Sequence, residues 1–444
     1  MHILYIQPGS GGSFYCQNCL RDLSVGRALS NAGHEVTMLP LYLPATAHTP
    51  EPEDAPIFYS AVTLYLRHKY RWMRRLPRHW FRPLDSWPVL KMAARMAGST
   101  SANGLEDLTL SMLKGMEGQQ AEELTLLAEW IEALPPGSRP DLIILSNALL
   151  AGLAERLKIA AQAPVICWLQ DEHVWFDAMH DSLRHAVLRA MRADAAHIDR
   201  FIAVSEYYRI RMSEMLKIDS HRIDVVYPSL NAADYQVSDV RRKPRKIGFL
   251  SRMAASEGFH ILVDAFIELR KNPRFNDVTL AATGGSAPER SFMRRQLKKL
   301  RAAGLGGDVA ISPVRFSADR KGFLSELTIL SVPGGATPEA FGYYAIEAMA
   351  AGVPVVLPAQ GAFPEFVTTE SGGVLVDEMS ADKLAAALSA LLDNPARLTE
   401  LSRNARRAAL QLFNEQSMGK CASARMCECA SGEGEGSKVQ GFKG

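Results

Sequence analysis

The stretch PEAFGYYAIEAMAAGVPVV, residues Pro338–Val356, contains the sharpest change of pattern in the chain. An apolar run ends near Val332, and the loop that follows is rich in glycine and proline and carries Glu339. An alanine-rich helix then runs to Ala351 and stops at Gly352, since glycine commonly follows the last helical turn. The segment therefore predicts a strand, a loop, a helix and a second strand, which is the repeating unit of parallel sheets.

Short apolar runs alternate with helical patterns twice along the chain. In the first half the predicted strands are His2–Ile6, Val36–Leu39, Asp141–Leu145, Val165–Leu169, Phe201–Val204 and Ile223–Tyr227, with an amphipathic helix at Asn18–Asn31. In the second half they are Lys246–Leu250, Val278–Ala282, Val309–Ile311, Ile329–Val332, Val353–Leu357 and Val374–Val376. This order predicts an α/β fold with two doubly wound, Rossmann-like domains that face each other across a cleft.

The domain boundaries follow from changes in composition. Residues 1–235 are predicted to form the N-terminal domain, with a basic and aromatic insertion at about 60–100. Residues 246–415 are predicted to form the C-terminal domain, and the polar stretch 231–246 between them is expected to be an exposed linker. The tail 421–444 has no apolar periodicity and is expected to be disordered. Ligands of such sheets bind beyond the carboxyl ends of the strands, so both domains should direct loops into the cleft.

Composition excludes some classes of protein. Of the 444 residues, 47% are hydrophobic and 22% are charged, which is typical of globular chains and not of fibrous or fully disordered ones. The net charge is only +2, so any attraction to phosphates or lipids must come from local clusters. There is no run of 18 uncharged apolar residues and no leader-like start, and we expect a cytoplasmic protein.

Six cysteines in so long a chain do not indicate a disulfide scaffold, and all six are expected to be reduced. Cys16 and Cys19 have the spacing of some zinc and redox motifs, but no second pair with His follows at a finger-like distance. The alternative is that the two thiols simply line a loop.

A glycine-rich turn, Pro8–Gly12, follows the first predicted strand and precedes the first helix. Glycines allow backbone N–H groups to approach an anion, which makes Gly11 and Gly12 candidate donor-binding residues. The spacing is not Gly-x-Gly-x-x-Gly, and no acidic residue ends the second strand. A dinucleotide-dependent oxidoreductase is therefore disfavoured.

Two carboxylates belong to the quoted stretch: Glu339 in the loop and Glu347 on the early helix. Ionised carboxylates accept hydrogen bonds from sugar and ribose hydroxyls, and the nearby positive helix end suits a diphosphate. The alternative for a lone pair of glutamates is that they cap and solvate a helix. The residues around them favour the first interpretation.

The stretch resembles the signature of family 4 of the retaining glycosyltransferases, which have the GT-B fold. Glu339 and Glu347 have the family's Glu-x7-Glu spacing, residues 352–356 match its Gly-x-Pro-Val-Val element, and Gly361–Glu365 resembles its Gly-x-x-Glu loop. The resemblance covers about residues 1–415 and is strongest over 325–376.

The resemblance implies roles for individual residues. Glu339 would contact the donor sugar, Glu347 the nucleotide ribose, and backbone amides of Phe341, Gly342 and Tyr343 the sugar and phosphates. Gly284 and Ser205 also fall where relatives have comparable residues. The N-terminal domain would then bind the acceptor and the C-terminal domain the nucleotide sugar.

Gly248–Arg252 resembles the family's Gly-Arg element, which would place Arg252 against the donor diphosphate, where a guanidinium fits two phosphate oxygens. The alternative is a solvated arginine at a strand end. Five residues later the family has Lys, whereas this chain has Glu257. An anion there weakens the stabilisation of phosphate charge, so either Arg252 and the helix ends suffice or the donor binds differently.

A second departure lies in the loop after the predicted strand Val165–Leu169. Gln170 stands where many relatives have His, followed by Asp171, Glu172 and His173. Asp171 is a candidate catalytic residue that would orient donor or acceptor. His173 fits a structural role as well as an active-site role.

The segment Arg67–Arg82 holds seven Lys or Arg and no Asp or Glu, interleaved with aromatic residues. Such a surface can lie on anionic lipid or hold a phosphorylated acceptor. The candidate patch residues are Arg71, Arg74, Arg75 and Arg78. A solvated insertion is the alternative, and no nucleic-acid motif accompanies the segment, so nucleic acid is not an expected partner.

Together these features predict a retaining glycosyltransferase that moves a sugar from a nucleotide-diphosphate donor to an acceptor hydroxyl. The acceptor would be a glycan or a lipid-linked molecule, in glycan, glycolipid or cell-envelope polysaccharide synthesis, with the protein peripheral at the inner face of the membrane. No cofactor and no metal are expected, since the chain has no Asp-x-Asp triplet. The alternatives are a catalytically impaired nucleotide-sugar-binding protein, suggested by Glu257 and Gln170, and a sugar-nucleotide epimerase.

Overall fold

The computed structural model describes residues 1–9, 15–42, 106–285, 290–312, 319–335, 337–368 and 370–431. Within these ranges the chain forms two six-stranded parallel sheets, one from each half of the sequence. The predicted α/β fold with two doubly wound domains is therefore confirmed.

The first sheet has the strand order β2-β1-β3-β4-β5-β6. Its strands are β1 (His2–Gln7), β2 (Glu35–Pro40), β3 (Leu142–Leu145), β4 (Val165–Leu169), β5 (Arg200–Ala203) and β6 (Ile223–Val225). All five residues of the central strand β4 are buried, whereas the edge strand β2 alternates between exposed and covered positions. A central strand with both faces covered reads as a continuous apolar run, which is why its predicted bounds match the observed ones.

The second sheet has the order β12-β11-β10-β7-β8-β9. Its strands are β7 (Lys246–Leu250), β8 (Thr279–Thr283), β9 (Val309–Ile311), β10 (Ile329–Leu330), β11 (Val355–Pro358) and β12 (Gly373–Val376). The chain order reverses between β10 and β7, next to the centre of the sheet. The loops after these two strands therefore open at the crevice where ligands of doubly wound sheets bind.

Helices cover the sheets. Those of the first half are α1 (Gln17–Asn31), α2 (Glu106–Leu113), α3 (Ala121–Glu132), α4 (Ala154–Ala161), α5 (Glu172–Asp177), α6 (Asp181–Asp194) and α7 (Glu206–Leu216). Those of the second half are α8 (Phe259–Leu269), α9 (Arg290–Ala302), α10 (Asp319–Ser325), α11 (Tyr343–Ala350), α12 (Phe363–Phe366), α13 (Ala381–Leu392), α14 (Pro395–Leu412) and α15 (Glu415–Ser431). None of these helices is long and apolar enough to cross a membrane.

The expected exposed linker is only partly exposed. Arg241, Arg242 and Lys243 face solvent as predicted. Tyr235 and Val240 are buried instead, at 5% and 4% exposure. Apolar side chains in a polar stretch anchor it to a core, so the start of this segment packs into the molecule rather than swinging free.

The expectation of disorder from Cys421 onward is wrong for residues 421–431, which belong to α15. Met418, Ala422 and Met426 are buried, a spacing of four that marks one face of a helix. This face packs on α1, so the end of the described chain returns to the first domain. Residues 432–444 lie outside the described ranges.

Candidate active site in the interdomain cleft

Glu339 lies in the loop between β10 and α11, on the crevice side of the second sheet. Gly342, with φ of 85°, precedes α11, and a Cβ there would come within 2.5 Å of the Phe363 ring. Gly361, with φ of 63°, packs against the Glu339 carbonyl, where a Cβ would come within 2.4 Å. Only glycine fits these two positions without strain, so the sequence fixes the backbone that presents Glu339.

Glu347 lies within α11 and is 0% exposed. The Tyr15 hydroxyl donates to its Oε2 at 2.6 Å, and the Tyr235 hydroxyl donates to its Oε1 at 2.6 Å. Arg320 Nε donates to the same Oε1, also at 2.6 Å. Charge-assisted bonds of this kind are stronger than neutral ones. Both oxygens of Glu347 are therefore engaged, by one cation and two hydroxyls.

The two tyrosines keep their protons. Burial, reinforced by the charge of Glu347, raises the pKa of both Tyr15 and Tyr235 well above the usual range. Tyr15 belongs to the first domain, and its backbone N–H also donates to the Gly284 carbonyl of the second domain at 3.1 Å. Glu347 is thus one of the points at which the two domains meet.

Glu339 has weaker partners. Gln17 Nε2 lies 3.4 Å from its Oε2, and the Tyr344 hydroxyl lies 3.4 Å from its Oε1. The side-chain oxygen of Gln17 accepts a hydrogen bond from the Tyr343 N–H at the start of α11. One glutamine of the first domain therefore links the loop carboxylate to the helix that carries Glu347.

The charges near Glu339 are mostly negative. Burial raises the pKa of Glu339 well above its usual range, and the carboxylates of Asp171 and Glu257 raise it further. A carboxylate without a firm cation partner keeps its proton to higher pH. Glu339 can therefore exist as a neutral acid under conditions in which ordinary glutamates are ionised.

Asp171 reaches this cluster from the loop after β4 in the first sheet. Its backbone has φ of 53°, and the Ala340 backbone, next to Glu339, acts to lower the pKa of its carboxyl group. Burial raises the pKa of Asp171, and the nearby His173 partly opposes that rise. The predicted site residues Asp171 and Glu339 thus lie on opposite sides of one cleft.

His173 also spans the cleft, and it is 0% exposed. Its Nε2 lies 2.8 Å from the Pro338 carbonyl oxygen, which can only accept, so Nε2 carries the hydrogen. Its Nδ1 lies 3.2 Å from the Tyr208 hydroxyl. Burial lowers the pKa of His173, which favours the neutral ring. Between the two roles left open by the sequence, this geometry favours a positioning role that holds the Glu339 loop.

Glu172 is a buried carboxylate with neutral donors. It accepts hydrogen bonds from the Ala148 N–H at 2.8 Å, the Gln170 N–H at 2.7 Å and the Tyr208 hydroxyl at 2.7 Å. Burial raises its pKa to about 7, although these donors oppose the rise. The side chain of Gln170 is 3% exposed and donates to the Ser146 carbonyl at 2.9 Å. Gln170, at the position where the family has histidine, therefore directs its side chain into the first domain.

Arg252 follows β7, and its guanidinium lies 3.9 Å from the Glu257 carboxylate. Hydroxyls of Ser251 and Ser256 each lie 3.1 Å from Glu257 oxygens. Arg252 retains 30% side-chain exposure, and its partner retains 14%. The cation predicted to face the diphosphate is accessible, but a carboxylate partly offsets its charge.

Two further contacts close the cleft. The Ser205 hydroxyl donates to the Ala340 carbonyl at 2.6 Å while accepting from the first turn of α7. The Glu365 carboxylate accepts three bonds from the first domain, at 2.5–2.9 Å. The donors are the backbone N–H groups of Glu206 and Tyr207 and the hydroxyl of Tyr227. The glutamate of the Gly361–Glu365 loop therefore caps α7 of the opposite domain.

Several predicted residues lie outside the described ranges: Gly11, Gly12, Arg71, Arg74, Arg75 and Arg78. Five residues that contact the two glutamates were missed by the sequence reasoning: Tyr15, Gln17, Tyr235, Arg320 and Tyr344. The sequence contained a signal for Tyr15 and Gln17, because they follow the glycine-rich turn after β1 and so lie at the carboxyl ends of the strands, where ligands bind. Over the described part of the chain, no group of three or more His, Cys, Asp or Glu could hold a metal ion.

Two parallel sheets that face a shared cleft, with a carboxylate loop before a helix of the second sheet, define a GT-B architecture. The N-terminal half matches the family model described as glycosyl transferase 4-like domain over residues 22–229. The C-terminal half matches the model described as glycosyl transferases group 1 over residues 232–408. The chain therefore belongs to the family of glycosyltransferases that these two adjoining models describe.

Curated relatives agree over part of the chain. A D-inositol 3-phosphate glycosyltransferase of Segniliparus rotundus is 26% identical over 218 residues, 47% of each chain. One of Salinispora tropica is 30% identical over 234 residues, 48% of each chain. An MMP alpha-(1->4)-mannosyltransferase of Mycolicibacterium hassiacum is 42% identical over 81 residues, 18% of this chain and 20% of its own. The chain thus spans about half the length of the D-inositol 3-phosphate glycosyltransferases it matches.

Solved structures resemble the whole fold. The sucrose-phosphate synthase of Thermosynechococcus elongatus superposes with a TM-score of 0.68 at 19% identity, covering 97% of this chain and 100% of its own. The Anabaena protein Alr3699/HepE, solved with UDP-glucose, superposes with a TM-score of 0.65 at 17% identity, covering 96% and 100%. At such identities the likeness concerns the fold.

Proposed function

We propose that the protein transfers a sugar, with retention of anomeric configuration, from a nucleoside-diphosphate sugar to an acceptor hydroxyl. The observation that carries the proposal is the meeting of Glu339 with Asp171 and Gln17 across the cleft, at the start of α11. Carboxylates from both domains, Asp171 from the first and Glu339 from the second, then surround one space, where they can accept hydrogen bonds from sugar hydroxyls. Membership of the glycosyltransferase family supports the same activity.

In this proposal Glu339 and Asp171 hold the sugar, and Arg252 with the start of α11 stabilises the diphosphate as it leaves. Glu347 holds the ribose once the Tyr15 hydroxyl, which now occupies its Oε2, withdraws. Gly284 contacts the diphosphate through its backbone in this proposal; a side chain has no room there, since a Cβ would come within 2.5 Å of the Ser251 carbonyl oxygen. The protein acts mainly by positioning and by electrostatic stabilisation, without a metal.

The first test is a transfer assay on the purified full chain with a panel of nucleoside-diphosphate sugars. UDP sugars come first because Alr3699/HepE was solved with UDP-glucose, and inositol phosphates come first as acceptors because of the named relatives. The expected product keeps the anomeric configuration of the donor, as read by proton NMR, and forms equally in a metal chelator. An inverted product, or activity that needs an added metal, would overturn the proposed mechanism.

Arg252 offers the sharpest variant test. Arg252→Ala should lower kcat/KM by a factor equivalent to about 2–4 kcal/mol, the usual cost of one preorganised charge stabiliser. Arg274→Ala is the matched control, because Arg274 is 69% exposed and pairs with Asp393. A loss below about tenfold for Arg252→Ala would assign it a peripheral role.

A nucleotide-sugar-binding protein with impaired catalysis is the second candidate, favoured by the proximity of Glu257 to Arg252. Such a protein would show a thermal shift with nucleotide sugars and release no sugar. Glu257→Lys separates the two candidates. Restoring the family's cation should create turnover in an impaired protein, and it should leave turnover equal or higher in an active one.

We also propose that the acceptor is reached at an anionic membrane surface, through Arg71, Arg74, Arg75 and Arg78. Each cation near such a surface contributes about 1 kcal/mol. Vesicle sedimentation should show binding that rises with anionic lipid, falls with salt, and is lost when the four arginines become Ser. Equal binding to neutral vesicles would reject this part and favour an acceptor in solution.

A further inference from the structure

Cys16 and Cys19 lie together at the cleft end of α1. Cys16 is the residue that caps this helix, and its sulfur accepts a hydrogen bond from the Cys19 N–H at 3.3 Å. The two sulfur atoms are 2.8 Å apart. A disulfide bond is about 2.05 Å long, so a small movement brings the pair to bonding distance.

The two cysteines differ in access. Cys19 is 5% exposed, whereas Cys16 is partly exposed. The N-terminal end of a helix favours negative charge, and the thiolate is the form of cysteine that attacks a disulfide. Cys16 therefore has both the position and the access to react first with a molecule from solvent, and Cys19 is placed to resolve the product.

We propose that Cys16 and Cys19 are a reversible disulfide site that reacts with small-molecule disulfides. The Cys16 thiolate attacks one sulfur of the small disulfide, forms a mixed disulfide and releases one thiolate. The Cys19 sulfur, on losing its proton, then attacks the Cys16 sulfur, forms the internal bond and releases the second small thiol. The protein loses two protons and two electrons, which reduce the small disulfide to two thiol molecules.

The bridge would act on the neighbouring site, an effect that rests on the proposed function. Tyr15, directly before Cys16, donates to Glu347, and Gln17, directly after it, contacts Glu339. A covalent link across residues 16–19 stiffens the turn that holds Tyr15 against the carboxylate proposed for the ribose. We therefore expect the bridged protein to bind donor nucleotide about threefold more weakly, because the ribose must displace a less mobile hydroxyl.

The site can be tested by mass without any activity assay. The full chain is equilibrated with reduced and oxidised glutathione at a series of ratios, quenched in acid, alkylated and digested with trypsin. No Lys or Arg precedes Arg21, so residues 1–21 are released as one peptide that holds Cys16 and Cys19 and no other cysteine. The expected peptide lacks two hydrogens and resists alkylation, in a fraction that follows oxidised glutathione over the square of reduced glutathione.

Single variants test the order of attack. Cys19→Ser should leave one glutathione attached to Cys16, since no second sulfur resolves it, whereas Cys16→Ser should stay mostly unmodified. Each is the matched control of the other. A wild-type peptide that stays fully alkylated at all ratios, or that carries glutathione without closing, would overturn the site, and equal trapping in both variants would overturn the order.

The effect on the donor has a separate readout. Nucleotide affinity is measured by titration calorimetry on the bridged and reduced wild-type protein, with Cys16→Ser as a form that cannot close. Weaker binding only in the bridged form supports the effect on Tyr15. A bridge that forms by mass without a change in affinity overturns that effect, and absence of nucleotide binding in all forms counts against the proposed function instead.

Discussion

Glu339 and Glu347 stand eight positions apart in one motif, and they have opposite surroundings. Glu347 is fully buried and accepts hydrogen bonds from Arg320, Tyr15 and Tyr235. Glu339 has only two long hydrogen-bond contacts, and its pKa is raised by burial and by the carboxylates of Asp171 and Glu257. The fold therefore stabilises the charge of one glutamate and opposes the charge of the other. Glu347 contributes to the join between domains, while Glu339 remains available for a ligand.

The largest expected effect is on Glu347. Glu347→Gln removes the charge that balances Arg320 inside the protein, and breaking a buried ion pair in this way costs about 3–5 kcal/mol of unfolding free energy. Urea unfolding followed by circular dichroism measures the loss. Glu326→Gln is the control, because Glu326 is 55% exposed in its pair with Lys246. A loss below about 1 kcal/mol would show that the two glutamates differ less than their contacts indicate.

Glu172 is an intermediate case, since its three hydrogen-bond donors are neutral groups. Its pKa is raised to about 7 from the ordinary 4.5, so the folded protein holds a proton that the unfolded chain has released. The stability that this group contributes is complete below about pH 4.5 and is lost as pH rises through about 7. The loss is on the order of 3 kcal/mol.

Glu172→Gln should remove this fall, so the wild-type protein should lose unfolding free energy relative to the variant between about pH 5 and 8. Asp194, whose pKa burial also raises to about 7, contributes a fall of the same sign to both proteins and cancels in the difference. Urea unfolding at four pH values measures this difference in unfolding free energy between the wild-type protein and Glu172→Gln. A difference that is constant with pH would mean that Glu172 ionises normally.

Glu365 extends the comparison to a carboxylate at the rim of the cleft. It accepts from the first two N–H groups of α7 and from Tyr227, so Glu365→Ala should cost about 1–2 kcal/mol, as for the loss of a helix cap. Glu378→Ala is the control, because Glu378 is 88% exposed. The loss should appear in unfolding free energy and also as faster hydrogen exchange at Glu206 and Tyr207. Unchanged exchange would remove Glu365 from the contacts that close the cleft.

The pattern of the sequence predicts the sheets well and the partners of the site poorly. Val165–Leu169 and Lys246–Leu250 were predicted with their observed bounds, because the buried residues of each strand form a continuous apolar run. The two glutamates were found from their spacing within one segment. Their partners were not, since Tyr15 lies 332 residues from Glu347 and Tyr235 lies 112 residues from it. Contacts across domains have no local period to reveal them.

At the tail, a local pattern was present in the sequence but was not used in the prediction. Met418, Ala422 and Met426 have a helical spacing that was readable, but the glycine- and serine-rich residues after them suggested disorder for the whole segment. Composition averages over a window, whereas packing on α1 depends on a few side chains on one face. A short apolar stripe can therefore order a segment that is polar overall.

The smallest expected effect on stability is that of Glu339, the other half of the comparison. Glu339→Gln removes a carboxyl whose charge is opposed by burial and by Asp171 and Glu257. The raised pKa means that the wild-type protein loses more stability than the variant as pH rises, because the variant lacks this one titrating carboxyl. At low pH the two proteins should agree within about 0.5 kcal/mol, as for a substitution that disturbs no strong contact.

The same variant should chiefly lower turnover, because the proposed sugar contact strengthens in the transition state, whereas Glu347→Gln should chiefly weaken nucleotide binding. Urea unfolding at about pH 5 and 8, together with kcat and nucleotide affinity for both variants, measures this split. Glu339→Gln should equal or exceed the wild-type protein in unfolding free energy at the higher pH. If Glu339→Gln instead destabilised the protein as much as Glu347→Gln, both glutamates would be structural, and the cleft would have to hold its sugar through Asp171 and its neighbours.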